Sequence, residues 1–199
     1  MGEAPATRAS LLVRIRDAQD VQAWNQFVEI YAPLVYGFAR RHGLQDADAA
    51  DVTQEVMQSV SKAAHKLEYD PERGSFRGWL FTVTRNKVST FLTRRKPSER
   101  GSGGSNAQEL LSEQPARTED ESALWDREYE RQLFAWAAEQ VRGTFQESTW
   151  QAFWQTAVEG KSGKEVAQGL GLSVAAVYLA KGRVMTRLKE QIRQVQPDS

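Results

Sequence analysis

Apolar residues recur along this chain at steps of three and four, the spacing of one helix face, and nowhere in the alternation of a half-buried strand. Val21, Trp24, Phe27, Val28, Tyr31, Leu34, Val35 and Phe38 form the first long series, with Asp20 as N-cap and Gly43 closing it. Arg40, Arg41 and His42 stand at its end, where the helix dipole favours cations. Pro33 falls inside the series and predicts a bend or a split. A second helix is predicted from near Asp46 to Lys66, burying Val52, Val56, Val60 and Ala63 or Ala64. A third starts after Ser75 and carries Phe76, Trp79, Leu80, Val83, Val88, Phe91 and Leu92. Together they predict a helical bundle.

The C-terminal part has finer punctuation. Trp125, Tyr129, Leu133, Trp136 and Ala137 make one helical stripe; Phe145, Trp150, Phe153, Trp154 and Val158 make another. Ser162 and Glu165 have capping-box spacing, and Val166, Ala167 and Leu170 give the helix they open an apolar face. Gly171 supplies the positive φ that a tight reversal needs, and Ser173 caps a last helix from Val174 to about Ile192. Val177, Val184, Leu188 and Ile192 are its predicted buried positions. Two capped helices around a glycine turn form a helix-turn-helix pattern, although an ordinary helical hairpin carries the same punctuation. In the DNA-binding reading, the second helix enters the major groove with its first residues near base edges. Those residues are Ser173, Ala175, Ala176, Tyr178, Leu179 and Lys181, with Lys164, Arg183 and Arg187 placed for phosphates.

Between these parts lies a stretch rich in glycine, serine and charge, from Lys96 to about Thr118, which reads as a flexible linker. The expected fold class is therefore all-α. Two helical domains, 8–97 and 122–195, are joined by a linker over 98–121.

Composition narrows the function. The 199 residues include no cysteine and only two histidines, His42 and His65. Disulfides, thiolate metal sites and a cysteine nucleophile are excluded, and no cofactor is expected. Gly160-Lys161-Ser162 resembles only the tail of a phosphate-binding loop, without its upstream glycine or strand, and no glycine-rich nucleophile turn accompanies the histidines. Enzyme chemistry is thus the weakest reading. No apolar run approaches the ~20 residues that cross a bilayer, and the N-terminus lacks a signal-peptide pattern. The expected location is the cytoplasm.

The zero net charge conceals an uneven distribution. Residues 1–100 carry 15 basic and 12 acidic side chains, residues 101–129 carry 2 and 7, and residues 130–199 carry 9 and 7. Within 73–100, eight cations face a single acid, Glu99. Such a stretch can follow nucleic-acid phosphates, or it can be a solvated face.

At this point the sequence resembles a family, the extracytoplasmic-function sigma factors. The residues that carry the resemblance run in order. They are Tyr31 to Tyr36 (YAPLVY), Asp48 to Val56 (DAADVTQEV), Tyr69 to Leu80 (YDPERGSFRGWL), Thr84 to Val88 (TRNKV), and the helix-turn-helix with Glu165-Val166-Ala167 and Leu170-Gly171-Leu172-Ser173. The resemblance covers about 10–96 and 130–192.

It implies a protein that docks on core RNA polymerase and recognises promoter DNA at two elements. By the family pattern, Asp51, Gln54 and Glu55, with Asp48 and Gln58 on nearby turns, bind the polymerase clamp; without the resemblance they would read as a solvated acidic stripe. Lys66 to Arg95 serves the minus-ten element. Tyr69 and Phe76 are base contacts there, and Arg73, Arg77, Arg85, Asn86 and Lys87 are the polar and cationic ones. Phe76 reads equally well as core, and Trp79, Leu80 and Val83 read as core. The last helix reads the minus-thirty-five element as duplex. It departs from the common pattern in offering Ala176, Val177, Tyr178, Leu179 and Ala180 where basic or hydroxyl residues are usual, so thymine-methyl contact and shape readout are expected. The resemblance also admits an anti-sigma factor as partner. The rival reading is a helix-turn-helix regulator that acts without polymerase, and direct binding to the core enzyme separates the two.

Overall fold

The computed structural model describes residues 11–64, 76–95 and 119–195, and every regular element among them is a helix. In chain order these are α1 (Leu11–Arg14), α2 (Val21–Arg41), α3 (Asp46–Ala64), α4 (Phe76–Arg95), α5 (Glu119–Arg142), α6 (Glu147–Ala157), α7 (Gly163–Leu170) and α8 (Val174–Arg193). The expected base contact Tyr69, the cation Arg73 and the expected linker up to Thr118 lie outside the described residues.

Helix α2 forms the centre of the fold. Asp20 caps it, accepting from the Ala23 amide at 2.8 Å. The same carboxylate receives two hydrogen bonds from Arg14, Nε at 2.8 Å and Nη2 at 3.0 Å, which tie α1 to the start of α2. Phe27, Tyr31, Leu34, Val35 and Phe38 are buried as the spacing predicts, and Ile30 joins them. Trp24 and Val28 are partly buried, and Val21 at the exposed first turn is 62% accessible. Pro33 neither splits nor ends the helix. It stands exposed, where water can take the Glu29 carbonyl that it leaves without a donor, while its buried neighbours hold the axis in place. Gly43 ends the run with a φ of 85°.

Helix α3 buries Ala49, Val52, Val56, Met57, Val60 and Ala64, and α4 buries Phe76, Leu80, Phe81, Thr84 and Val88. The one buried polar side chain among these, Thr84, donates to the Leu80 carbonyl at 2.8 Å and so is satisfied. Phe76 is a core residue. Only 3% exposed, it meets Phe27 and Tyr31 edge-on with centroids 5.8 and 5.6 Å away, which removes it from the surface where a base could stack. Trp79 and Val83, expected in the core, are only partly buried against it.

Helix α5 begins at Glu119, inside the stretch expected to be linker, and serves two neighbours. It packs on α2 and α4 and also on α8. Trp125, Tyr129, Leu133, Trp136 and Ala137 are all buried, and one hydrophobic cluster runs from α1 through α5 to α8. Val158 departs from its predicted stripe: α6 ends at Ala157, and Val158 is 45% exposed just beyond it. A second, smaller cluster of Ala152, Val166, Ala167, Val177 and Ala180 holds α7 and α8 to α6.

Candidate nucleic-acid interface

The helix-turn-helix is set by local chemistry. Ser162 accepts from the Glu165 amide at 3.3 Å while the Glu165 carboxylate accepts from the Ser162 amide at 2.9 Å. Gly171 turns the chain with φ 65°, and Ser173 accepts from the Ala176 amide at 3.1 Å to start α8. This cap engages the Ser173 hydroxyl with its own helix. Val177, Ala180, Val184 and Leu188 face inward. On the opposite side Val174, Ala175, Tyr178 and Leu179 are exposed, Tyr178 at 58% and Leu179 at 62%. Ala176 and Lys181 are half-buried, and Lys164 and Arg183 are exposed.

The Tyr178 ring reaches back over α7. A Cβ added to Gly163 would come within 2.9 Å of it. The glycine therefore leaves the room that the aromatic ring occupies beside the start of α7.

Helix α4 presents the other cations. Lys87 pairs with Glu55 of α3, Nζ to Oε2 at 3.1 Å, so two residues assigned to different partners meet across α3 and α4. Asp51, Gln54, Glu55 and Gln58 are exposed on α3, whereas Asp48 is half-buried. Asn86 is half-buried on α4.

Arg77 and Arg85 turn toward α5. The Arg77 guanidinium lies 4.9 Å from the Tyr129 ring centroid, with Asp126 Oδ1 at 3.9 Å. Arg85 Nε is 3.7 Å from Glu121 Oε2, and the other oxygen of that carboxylate is 3.3 Å from His42 Nε2. Glu128 collects Arg41 from α2 at 2.8 Å together with Arg131 and Gln132 of its own helix. Hydrogen bonding from Arg131 above all, then from Gln132 and Arg41, pulls its carboxyl down to about 2 against the cost of its burial. Apart from Tyr129, which the apolar stripe names, none of these α5 partners was singled out from sequence. The signal was the acidic block at 101–129, which read only as a connector.

Comparison with known proteins places this architecture. The family description Sigma-70 region 2 matches residues 27–97, which include α3 and α4. The ECF RNA polymerase sigma factor RpoE of Cereibacter sphaeroides is 33% identical over 90 residues, 45% of this chain and 49% of that protein. RNA polymerase sigma factor CnrH of Cupriavidus metallidurans is 27% identical over 168 residues, 84% of this chain and 85% of its own. ECF RNA polymerase sigma factor SigE of Mycolicibacterium smegmatis is 33% identical over 79 residues, 40% of this chain and 29% of its own. The first and third matches thus span half or less of those relatives. A solved structure of CnrH in complex with the cytosolic domain of CnrY covers 90% of this chain and 93% of its own, at 23% identity and a TM-score of 0.36. Among the described residues no helix is long and apolar enough to cross a membrane. An acidic helix and a basic helix matched by Sigma-70 region 2, followed by a helix-turn-helix, make the chain similar to RNA polymerase sigma factors of the extracytoplasmic-function class.

Proposed function

We propose that this protein binds bacterial core RNA polymerase and directs it to promoters, acting in the cytoplasm and leaving the chemistry to the polymerase. The exposed carboxylates and amides of α3 (Asp51, Gln54, Glu55 and Gln58, with Asp48 beside them) dock on the enzyme, where cationic partners make charge-assisted contacts. Helix α4 and the segment before it trap the opened minus-ten element. Arg77, Arg85, Asn86 and Lys87, with Arg73, follow the phosphates, and Tyr69 stacks on an unpaired base. In the α7–α8 motif, Lys164, Lys181 and Arg183 anchor phosphates of the minus-thirty-five duplex, and Ala175, Ala176, Tyr178 and Leu179 touch base edges. Two modules, 8–97 and 122–195, tethered by the intervening linker, multiply modest affinities through effective concentration. An anti-sigma factor belongs among the partners in this reading.

The observation that carries the reading is the juxtaposition across α3 and α4: an exposed acidic and amide face on one helix, cations on the next, inside the segment matched as region 2. In vitro transcription with core polymerase over a genomic library tests it. Promoter-specific transcripts that depend on this protein are the expected result; transcription unchanged by its addition would refute the reading.

A further inference from the structure

The first half of α5 is the most acidic stretch of the described chain. Asp120, Glu121, Asp126, Glu128 and Glu130 occur within eleven residues, with Arg127 as the one cation. It lies against α2 and α4, where Asp126 and Tyr129 hold Arg77 and Glu121 holds Arg85. Beneath this charged rim the contact is aromatic. Tyr129 stacks on Tyr31 at 5.6 Å, and Trp125 meets Phe38 and Phe81 edge-on at 5.6 and 5.4 Å. Trp136 Nε1 donates to Glu29 at 3.1 Å, closing the contact over α2. Carboxylates are thus offered to both guanidinium groups and an aromatic face to Arg77, in the roles that phosphate oxygens and a stacked base would fill.

We propose that α5 acts as an intramolecular lock, which in the free chain occupies the α2–α4 face that carries Arg77 and Arg85 and must leave before they meet single-stranded promoter DNA. The proposal rests on the assignment of α4 to opened DNA. Two further features suit a contact made to separate. Its ion pairs with Arg77 and Arg85 are long, at 3.9 and 3.7 Å, so a phosphate can compete with them. Trp125 Nε1 is buried without a hydrogen-bond partner among the described residues, a cost that hydration on opening would relieve. The continuity of α5 into its packing on α8 means that its departure carries the helix-turn-helix with it. Release of the α4 cations and repositioning of the second DNA-binding module become one event. Because DNA and α5 compete for one face, each weakens the other's hold by the same factor.

The test uses the full chain, whose lack of cysteine allows dyes at Ser61→Cys and Gln168→Cys, both exposed, for energy transfer between the two halves. Saturation with a mixed-sequence single-stranded DNA of about 20 nucleotides should lower the transfer. Transfer unchanged at saturation overturns the lock. Glu121→Gln with Asp126→Asn should lower transfer without DNA and tighten DNA binding about 5-fold or more. Glu147→Gln with Glu159→Gln, an equal charge change away from the interface, should do neither. Equal tightening by both pairs overturns the lock, because charge alone then explains the gain. Adding Arg77→Ala and Arg85→Ala to the opened variant separates the two ideas. Loss of the gain upholds both. A gain that survives without these arginines removes α4 from the DNA face, and the lock with it, whatever the dyes report about docking. A loss of binding in a variant whose opening had brought no gain keeps α4 on DNA and overturns the lock alone.

Discussion

Lys87 Nζ lies 3.1 Å from the Glu55 carboxylate, so the cation of α4 and the acid of α3 meet on the surface of one bundle. The pair is exposed, with side chains 37% and 52% accessible, and a pair of that kind contributes at most about 1 kcal/mol. Lys87→Ala should therefore leave thermal stability within about 1 kcal/mol of the parent while lowering promoter opening by the holoenzyme. Permanganate footprinting beside a melting curve reads both. Full opening in the variant would free Lys87 of the role given to it.

Asp51→Ala combined with Gln54→Ala should weaken affinity for core polymerase and leave duplex binding by the C-terminal motif unchanged. Both side chains are exposed on α3, so the fold should survive. Fluorescence anisotropy against the core enzyme reads the loss; unchanged affinity would place the polymerase contact elsewhere.

Phe76 separates packing from recognition. Being 3% exposed among Phe27, Tyr31 and Trp79, it should cost roughly 3–5 kcal/mol on truncation to alanine, as a buried aromatic does. Phe76→Leu keeps most of the volume and should retain promoter opening in proportion to the folded fraction. Normal stability with lost opening would return Phe76 to the DNA face.

Much of this was legible because it is local. Ser162, Glu165, Gly171 and Ser173 lie within twelve residues, and each acts on its own backbone neighbourhood, so the helix-turn-helix could be read residue by residue. The inward faces of α2, α3 and α5 were legible too, because periodicity names the buried side of a helix. Periodicity does not name what covers that side. Tyr31 and Tyr129 stack across 98 positions, and nothing in either stripe specifies the other as partner. Phe76 was ambiguous for a related reason, since an aromatic at the start of a helix can face a base or a core with the same spacing. Val158 misled because its spacing fits the stripe while the helix stops one residue earlier.

Acid should destabilise the fold through Glu128. Glu128 has its carboxyl lowered to about 2 from an ordinary 4.5, chiefly by hydrogen bonds from Arg131, with Gln132 and Arg41 adding to it. A depressed carboxyl favours the folded state above its unfolded value, and the benefit is lost as pH falls through the folded one. Stability should thus hold above about pH 4.5 and decline toward pH 2, by on the order of 1–3 kcal/mol from this group. Glu128→Gln should flatten that part of the denaturation profile; an unaltered slope would show that the carboxylate is not held by these partners.

Lys181→Ala should weaken duplex binding and reduce the slope of log affinity against log salt by about one phosphate contact. Titrations at several salt concentrations measure it, and an unmoved slope would take Lys181 off the backbone.

The central claim is that this chain confers promoter choice on a polymerase, and the most direct measurement is abortive transcription from purified core enzyme with and without the protein. The expected result is new, promoter-dependent RNA that disappears with Asp51→Ala and Gln54→Ala and falls with Arg77→Ala and Lys87→Ala. Tight binding to the same promoters with no polymerase recruited, and no new RNA made, would contradict it.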